Sequence, residues 1–172
     1  MLRRAALALA ASLATNVTAL RADDAAWRVE RTEFGERSVE GRALGWRVFG
    51  AEREGAPTVL LLGAIHGDEP MSHLLLERFA AELEAHPEWA PGRRVVIATS
   101  LNPDGLVRGT RENARGVDLN RNFPAESWRP GEARGAEPLC EPESRLVAHL
   151  LETFRPLAVV SVHAPFRCVN WD

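Results

Sequence analysis

An uninterrupted apolar run, Thr58-Val59-Leu60-Leu61-Leu62-Gly63-Ala64-Ile65, ends directly on His66-Gly67-Asp68-Glu69, and Pro70 follows. A run this short and this apolar, entered through the Gly55-Ala56-Pro57 break, reads as a strand covered on both faces. Proline at a first helical turn, with Asp68 and Glu69 beside it, opens a helix from about residue 70. Strands alternating with helices argue for an α/β layer fold, and open α/β sheets place their binding sites at the carboxyl ends of strands. An imidazole and a carboxylate three positions apart at such an end can face one metal ion, so His66 and Glu69 are candidate zinc ligands. The pair alone is common by chance, and the rest of the chain must carry the argument.

Residues 27–56 alternate and are punctuated by glycine, with a turn at Glu40-Gly41 between two short strands. The helix from Pro70 is expected to bury Leu74, Leu75, Ala81 and Leu83 and to turn Glu77, Arg78, Glu82 and Glu84 to solvent. Pro87 and Pro91-Gly92 stop it, and residues 94–100 read as the next strand. Residues 101–136 show no clean period. Loops of that length are functional or disordered, and the polar motifs point to function for residues 102–124. Asn102-Pro103-Asp104-Gly105 reads as a turn that shapes a cleft, and residues 131–138 as a flexible exposed stretch. Glu141-Pro142-Glu143 opens a second helix reaching about Phe154. Residues 157–163 form the last strand, which ends on His163 before Ala164-Pro165. One domain from residue 27 to residue 172 accounts for the pattern.

Composition removes several chemistries. All 21 basic residues are Arg, which excludes a Schiff-base lysine and the lysine of a P-loop. No Gly-x-Ser-x-Gly elbow occurs. A net charge of −3 gives no reason to expect nucleic acid or an anionic membrane, and no apolar run approaches the ~20 residues of a membrane-spanning helix. Cys140 and Cys168 are expected to be unpaired and half-buried, because a domain of this size does not need a covalent staple. Residues 1–22 have the charge and the small, mildly apolar core of a signal peptide, implying a periplasmic or secreted protein. An Ala-rich helix on a cytoplasmic protein is the alternative.

The motifs downstream of His66 give the chain a family likeness. Asn102-Pro103-Asp104-Gly105 comes first, then Arg111-Glu112-Asn113-Ala114-Arg115-Gly116-Val117-Asp118-Leu119-Asn120-Arg121-Asn122-Phe123-Pro124, then Ser161-Val162-His163. With these, the chain resembles the zinc metallocarboxypeptidases of the M14, carboxypeptidase A type. Within them it is most similar to the small bacterial murein peptide amidases, which cleave γ-D-glutamyl–diaminopimelate bonds. The resemblance runs from about Phe34 to Asp172. It implies a mixed, mostly parallel β-sheet flanked by helices, one zinc ion per chain and a cell-wall peptide as substrate. Zinc hydrolases use three protein ligands and leave the fourth position open, so His163 is the natural third beside His66 and Glu69. His73, His86 and His149 fall in helices or at a helix end and read as packing or surface residues. The resemblance assigns Asn120 and Arg121 to the substrate's terminal carboxylate, which suits the paired donors of arginine. It assigns Arg111 to the oxyanion, with Arg108 and Arg115 close by. Asp118 reads as a brace for its loop.

Two of the family's groups have no match. Its general-base glutamate and its capping tyrosine lie well beyond the third zinc ligand. This chain ends nine positions after His163 and contains no Tyr. A truncated chain lacking its C-terminal strands is therefore expected, with an intact metal site, weak hydrolysis and apolar surface left open. Glu141 and Glu143 read as helix-end structure. Two other functions fit parts of the pattern: an N-acyl amino acid deacylase of the aspartoacylase or succinylglutamate desuccinylase type, and a non-catalytic peptidoglycan-peptide-binding protein.

Overall fold

The computed structural model describes residues 27–51, 53 and 55–164. The signal-peptide segment and Cys168 lie outside them. Five strands, β1 (Trp27–Arg37), β2 (Ala43–Ala51), β3 (Thr58–Gly63), β4 (Arg94–Ala98) and β5 (Ala158–Val162), form one sheet in the order β1-β2-β4-β3-β5. β1 pairs antiparallel with β2, and β2 with β4. β3 runs parallel to both β4 and β5. The sheet is thus mixed, and its parallel part carries the chain ends where His66 and His163 emerge.

Helices α1 (Pro70–Ala85) and α3 (Pro142–Phe154) pack against the sheet, and α2 (Pro103–Arg108) is a short helix between β4 and α3. Alternation along the strands builds two cores. Leu60 and Leu62 of β3 and Val96 and Ala98 of β4 meet Leu146, Val147 and Leu150 of α3. Val95 and Ile97, which point the other way, meet Leu76, Ala80 and Leu83 of α1. This is why β3 and β4 read as continuous apolar runs: each strand is covered on both faces.

The buried stripe of α1 differs from the expected one. Ser72, Leu76, Ala80 and Leu83 are buried, while Leu74 and Leu75 remain 54% and 57% exposed and Ala81 is exposed too. Ser72 fixes the helix rotation. Its hydroxyl donates to Glu69 O at 2.7 Å and accepts from Ala64 N–H at 2.9 Å. With Ser72, Leu76, Ala80 and Leu83 facing inward, a helix with 3.6 residues per turn puts Leu74 on the far side and Leu75 on the flank. A polar anchor therefore outranked the apolar count. β5 lies at the sheet edge with Val159 and Val160 nearly half exposed.

Candidate metal centre

The chain turns sharply as β3 ends. Ala64 takes a left-handed conformation (φ 49°), and its carbonyl accepts from Asn102 N–H at 2.8 Å. His66 follows, and Glu69 sits at the N-cap of α1 with its side chain making no cap bond. That carboxylate is turned to the two imidazoles instead. His66 Nδ1 lies 2.9 Å from Glu69 Oε1, and His163 Nδ1 lies 3.1 Å from Glu69 Oε2. The two rings are 5.0 Å apart, centroid to centroid. One donor atom from each of His66, Glu69 and His163 lies within 4.8 Å of the others.

These residues fit a metal ion by their donor chemistry. Three donors around tetrahedral zinc sit about 3.4 Å apart, so a small closure would complete the sphere. Two imidazoles and a carboxylate suit zinc better than magnesium or calcium, which prefer oxygen shells. The outer nitrogen of each ring is also held: His66 Nε2 by Asp118 Oδ1 at 3.2 Å and His163 Nε2 by Ser161 Oγ at 3.0 Å. Such partners fix the tautomer and aim the free nitrogen. Burial disfavours a charged His66 ring, but Asp118 and Glu69 outweigh it and raise the proton affinity of the ring. The same local negative potential favours a cation.

Asp118 does more than brace its loop. Besides His66, it accepts from Arg111 Nε at 3.1 Å and from Asn120 N–H at 3.0 Å. Burial opposes its ionisation, yet the bond to His66 and the Arg111 charge hold its carboxyl down to about 2. Arg111 reaches the site over this carboxylate with its side chain 40% exposed. Asn120 and Arg121 follow in a short 3-10 turn (Leu119–Arg121) and are exposed. Arg121 donates only locally, from Nη1 to Asn120 O at 3.2 Å. His73, His86 and His149 contact Thr99 O, Glu88 with Trp89, and Phe34 with Trp46, all away from the centre.

Asn102-Pro103-Asp104-Gly105 is more than the turn expected of it. It begins α2, with Asn102 Oδ1 accepting from Gly105 N–H at 2.9 Å. Asn102 Nδ2 and Gly67 N–H both donate to Arg111 O, at 3.2 and 3.4 Å. A Cβ on Gly67 would overlap the Gly105 backbone, so glycine there lets two loops touch directly. Asp104 is buried and accepts from Ser38 Oγ at 2.7 Å, Glu40 N–H at 2.9 Å and Arg42 Nη1 at 2.6 Å. The stretch expected to be flexible, residues 131–138, is tied down by Asn122, whose Nδ2 donates to Arg134 O at 2.7 Å and Glu137 O at 3.0 Å. Cys140 is a half-buried free thiol.

The chain is similar to known proteins over most of its length. Murein peptide amidase A of Escherichia coli K12 is 34% identical over 170 residues, covering 90% of this chain and 67% of that protein. The protein of the same name from Vibrio campbellii is 32% identical, covering 87% and 64%. The chain thus spans about two thirds of the length of these curated relatives. The crystal structure of murein-tripeptide amidase from Escherichia coli O157 superposes with a TM-score of 0.61 at 32% identity, over 85% of this chain and 66% of that one. Carboxypeptidase A from Helicoverpa armigera shares the fold, with a TM-score of 0.70 at 22% identity over 80% and 41% of the two chains. The family description "zinc carboxypeptidase" matches residues 19–171, and the chain belongs to that family, peptidase M14.

Proposed function

We propose that this protein is a zinc-dependent hydrolase that cleaves an amide bond close to a carboxylate terminus, with murein peptides as its substrates. The observation that carries the reading is the convergence of His66, Glu69 and His163 from two strand ends, with the half-exposed Arg111 paired to the Asp118 that holds His66. His66, Glu69 and His163 would hold a zinc ion, which would supply Lewis acidity to a water and to the scissile carbonyl. The chain's own residues do the rest. Asp118 and Ser161 orient the two rings. Arg111, anchored through Nε, keeps guanidinium surface for the oxyanion that develops during attack. Asn120 and Arg121 offer amide and guanidinium donors to a terminal carboxylate. Glu69 and Asp118 are both committed to imidazoles, so neither serves as the proton acceptor for attacking water. The murein reading is supported by relatives of that name at 32–34% identity; a periplasmic or secreted location is proposed separately, from the signal-peptide character of residues 1–22, with a cytoplasmic protein as the alternative.

The test pairs two substrates. Zinc-loaded protein, as this chain and extended to the length of its relatives if the reading frame continues, is incubated with a γ-D-glutamyl–diaminopimelate peptide and with an N-acyl amino acid. Release of diaminopimelate by the longer form is expected. Turnover of only the N-acyl amino acid would make the protein a deacylase, and binding without turnover by either form would make it a peptide-binding protein.

A further inference from the structure

Asn113 is buried inside the turn that joins Arg111 to Asp118. Its Oδ1 accepts from Arg115 N–H at 3.0 Å and from Val117 N–H at 3.1 Å. Its main chain closes the same turn, with Asn113 N–H donating to Val117 O at 2.9 Å and Asn113 O accepting from Gly116 N–H at 3.0 Å. The amide fills the turn from within, a role asparagine performs well because its side chain mimics a peptide group.

Outward, the same side chain is gripped by α3. Nδ2 donates to Glu141 Oε2 at 2.8 Å, with Glu143 Oε2 at 3.4 Å, and Arg115 Nη1 donates to the same Glu141 oxygen at 3.1 Å. Glu141 is the N-cap residue of α3, yet its side chain makes no cap bond. A buried carboxylate beside a helix N-terminus that reaches back to a distant turn is committed to that turn. Glu143 is buried, and its Oε1 has no hydrogen-bond partner among the described residues. Burial first, then the nearby Glu141 and Asp104 charges, raises its proton affinity. Glu141 itself faces one amide and one guanidinium.

We propose that Glu141, acting through Asn113, is a positioning residue that fixes the spacing between Arg111 and Asp118. Those two residues are paired across the turn, and Asp118 in turn holds His66. The Arg111 part of this assignment rests on the hydrolase reading above; the effect on metal retention does not. Loosening the turn would let Asp118 drift from the imidazole and the guanidinium from the substrate, and it would also reach the Asn120-Arg121 turn, because Asp118 caps that turn through Asn120 N–H and Arg121 N–H.

Asn113→Asp keeps the side-chain volume and the acceptor oxygen but turns the donor into a carboxylate facing Glu141. Adding Glu141→Gln restores the contact with its polarity reversed, since the new amide can donate to the aspartate. Zinc retention against a chelator and steady-state kinetics on the γ-D-glutamyl–diaminopimelate peptide are measured for each variant, with circular dichroism as the check on folding. Asn113→Asp is expected to weaken zinc retention and lower kcat about tenfold each, in the range of partners that orient metal ligands. KM should rise as well, because Asp118 caps the turn that carries Asn120 and Arg121, so zinc retention and its recovery in the double variant carry the test. The double variant should regain at least half of the logarithmic loss. A folded Asn113→Asp protein with native zinc retention, or a loss that the double variant does not recover, overturns the proposal. If Asn113→Asp fails to fold, Glu141→Gln and Glu141→Ala decide: only the alanine should lose retention, and equal behaviour refutes the clamp. Absence of peptide hydrolysis by the wild type at either length would remove the hydrolase reading while leaving the retention series to judge the clamp.

Discussion

Replacing Gly67 with alanine tests whether the metal centre depends on the close approach of two motif loops. A methyl on Gly67 would overlap the carbonyl carbon, Cα and oxygen of Gly105. All three are backbone atoms, so no side chain can swing away, and one loop must retreat by roughly an ångström or more in an interior packed to crystal-like density. Overpacking of this kind costs typically ~1–3 kcal/mol. The retreat also stretches Gly67 N–H to Arg111 O, already 3.4 Å, so the upper end of that range applies. Gly67 does not have a positive φ, and backbone strain in the native state contributes nothing to the difference. A loss of ~3 kcal/mol in a domain of this size lowers Tm by about 6–12 °C. Thermal unfolding by circular dichroism of the zinc-loaded and zinc-free protein measures it, with Gly35→Ala as control, because nothing lies within 4 Å of a Cβ there. The control should be neutral or slightly stabilising. A Gly67→Ala protein that melts within about 1 °C of the native one and keeps its zinc would show that the loops do not need to touch.

Other perturbations probe the remaining parts of the site. Glu69→Gln and His163→Ala should each reduce zinc from one per chain towards zero without changing secondary structure; retained stoichiometric metal in either protein contradicts the ligand set. Asp118→Asn keeps the shape but removes the charge that fixes the His66 ring, and chelator competition should show zinc affinity lower by about 10- to 100-fold; unchanged affinity rules out that orienting role. Asp104 gives a pH dependence. Burial alone would raise its carboxyl, but bonds from Ser38, Arg42 and Glu40 N–H hold it below its usual range. A folded pKa below the unfolded one means stability present above about pH 4 and lost as pH falls through the folded value. Asp104→Asn should therefore be less stable than wild type by about 1–2 kcal/mol at neutral pH, with the gap closing in acid. Parallel pH–stability curves for the two proteins would contradict this.

The sequence by itself determined where the site must lie. An apolar run with no room for a polar face forces a strand covered on both sides, and a histidine at its end must emerge at the sheet's carboxyl edge. The run before His163 likewise read as a strand with the second imidazole at its tip, although it forms an exposed edge strand whose parallel pairing only the structure gives. Such short-range signals also marked α1 and α3, because proline and acidic residues act within a single helical turn.

Tertiary structure decided everything that depends on partners distant in the chain. Asp118 lies 52 positions from His66, and Glu141 lies 28 from Asn113, separations at which no local preference pairs them. The rotation of α1 was set by Ser72 hydrogen-bonding beneath Ala64, which turned Leu74 and Leu75 outward against the apolar pattern. The two glycines of the metal and cleft motifs looked like separate loop features until the fold pressed one against the other. Local propensities act through nearest neighbours, whereas the carboxylates that orient a ring or grip a turn are recruited only when packing closes the distance.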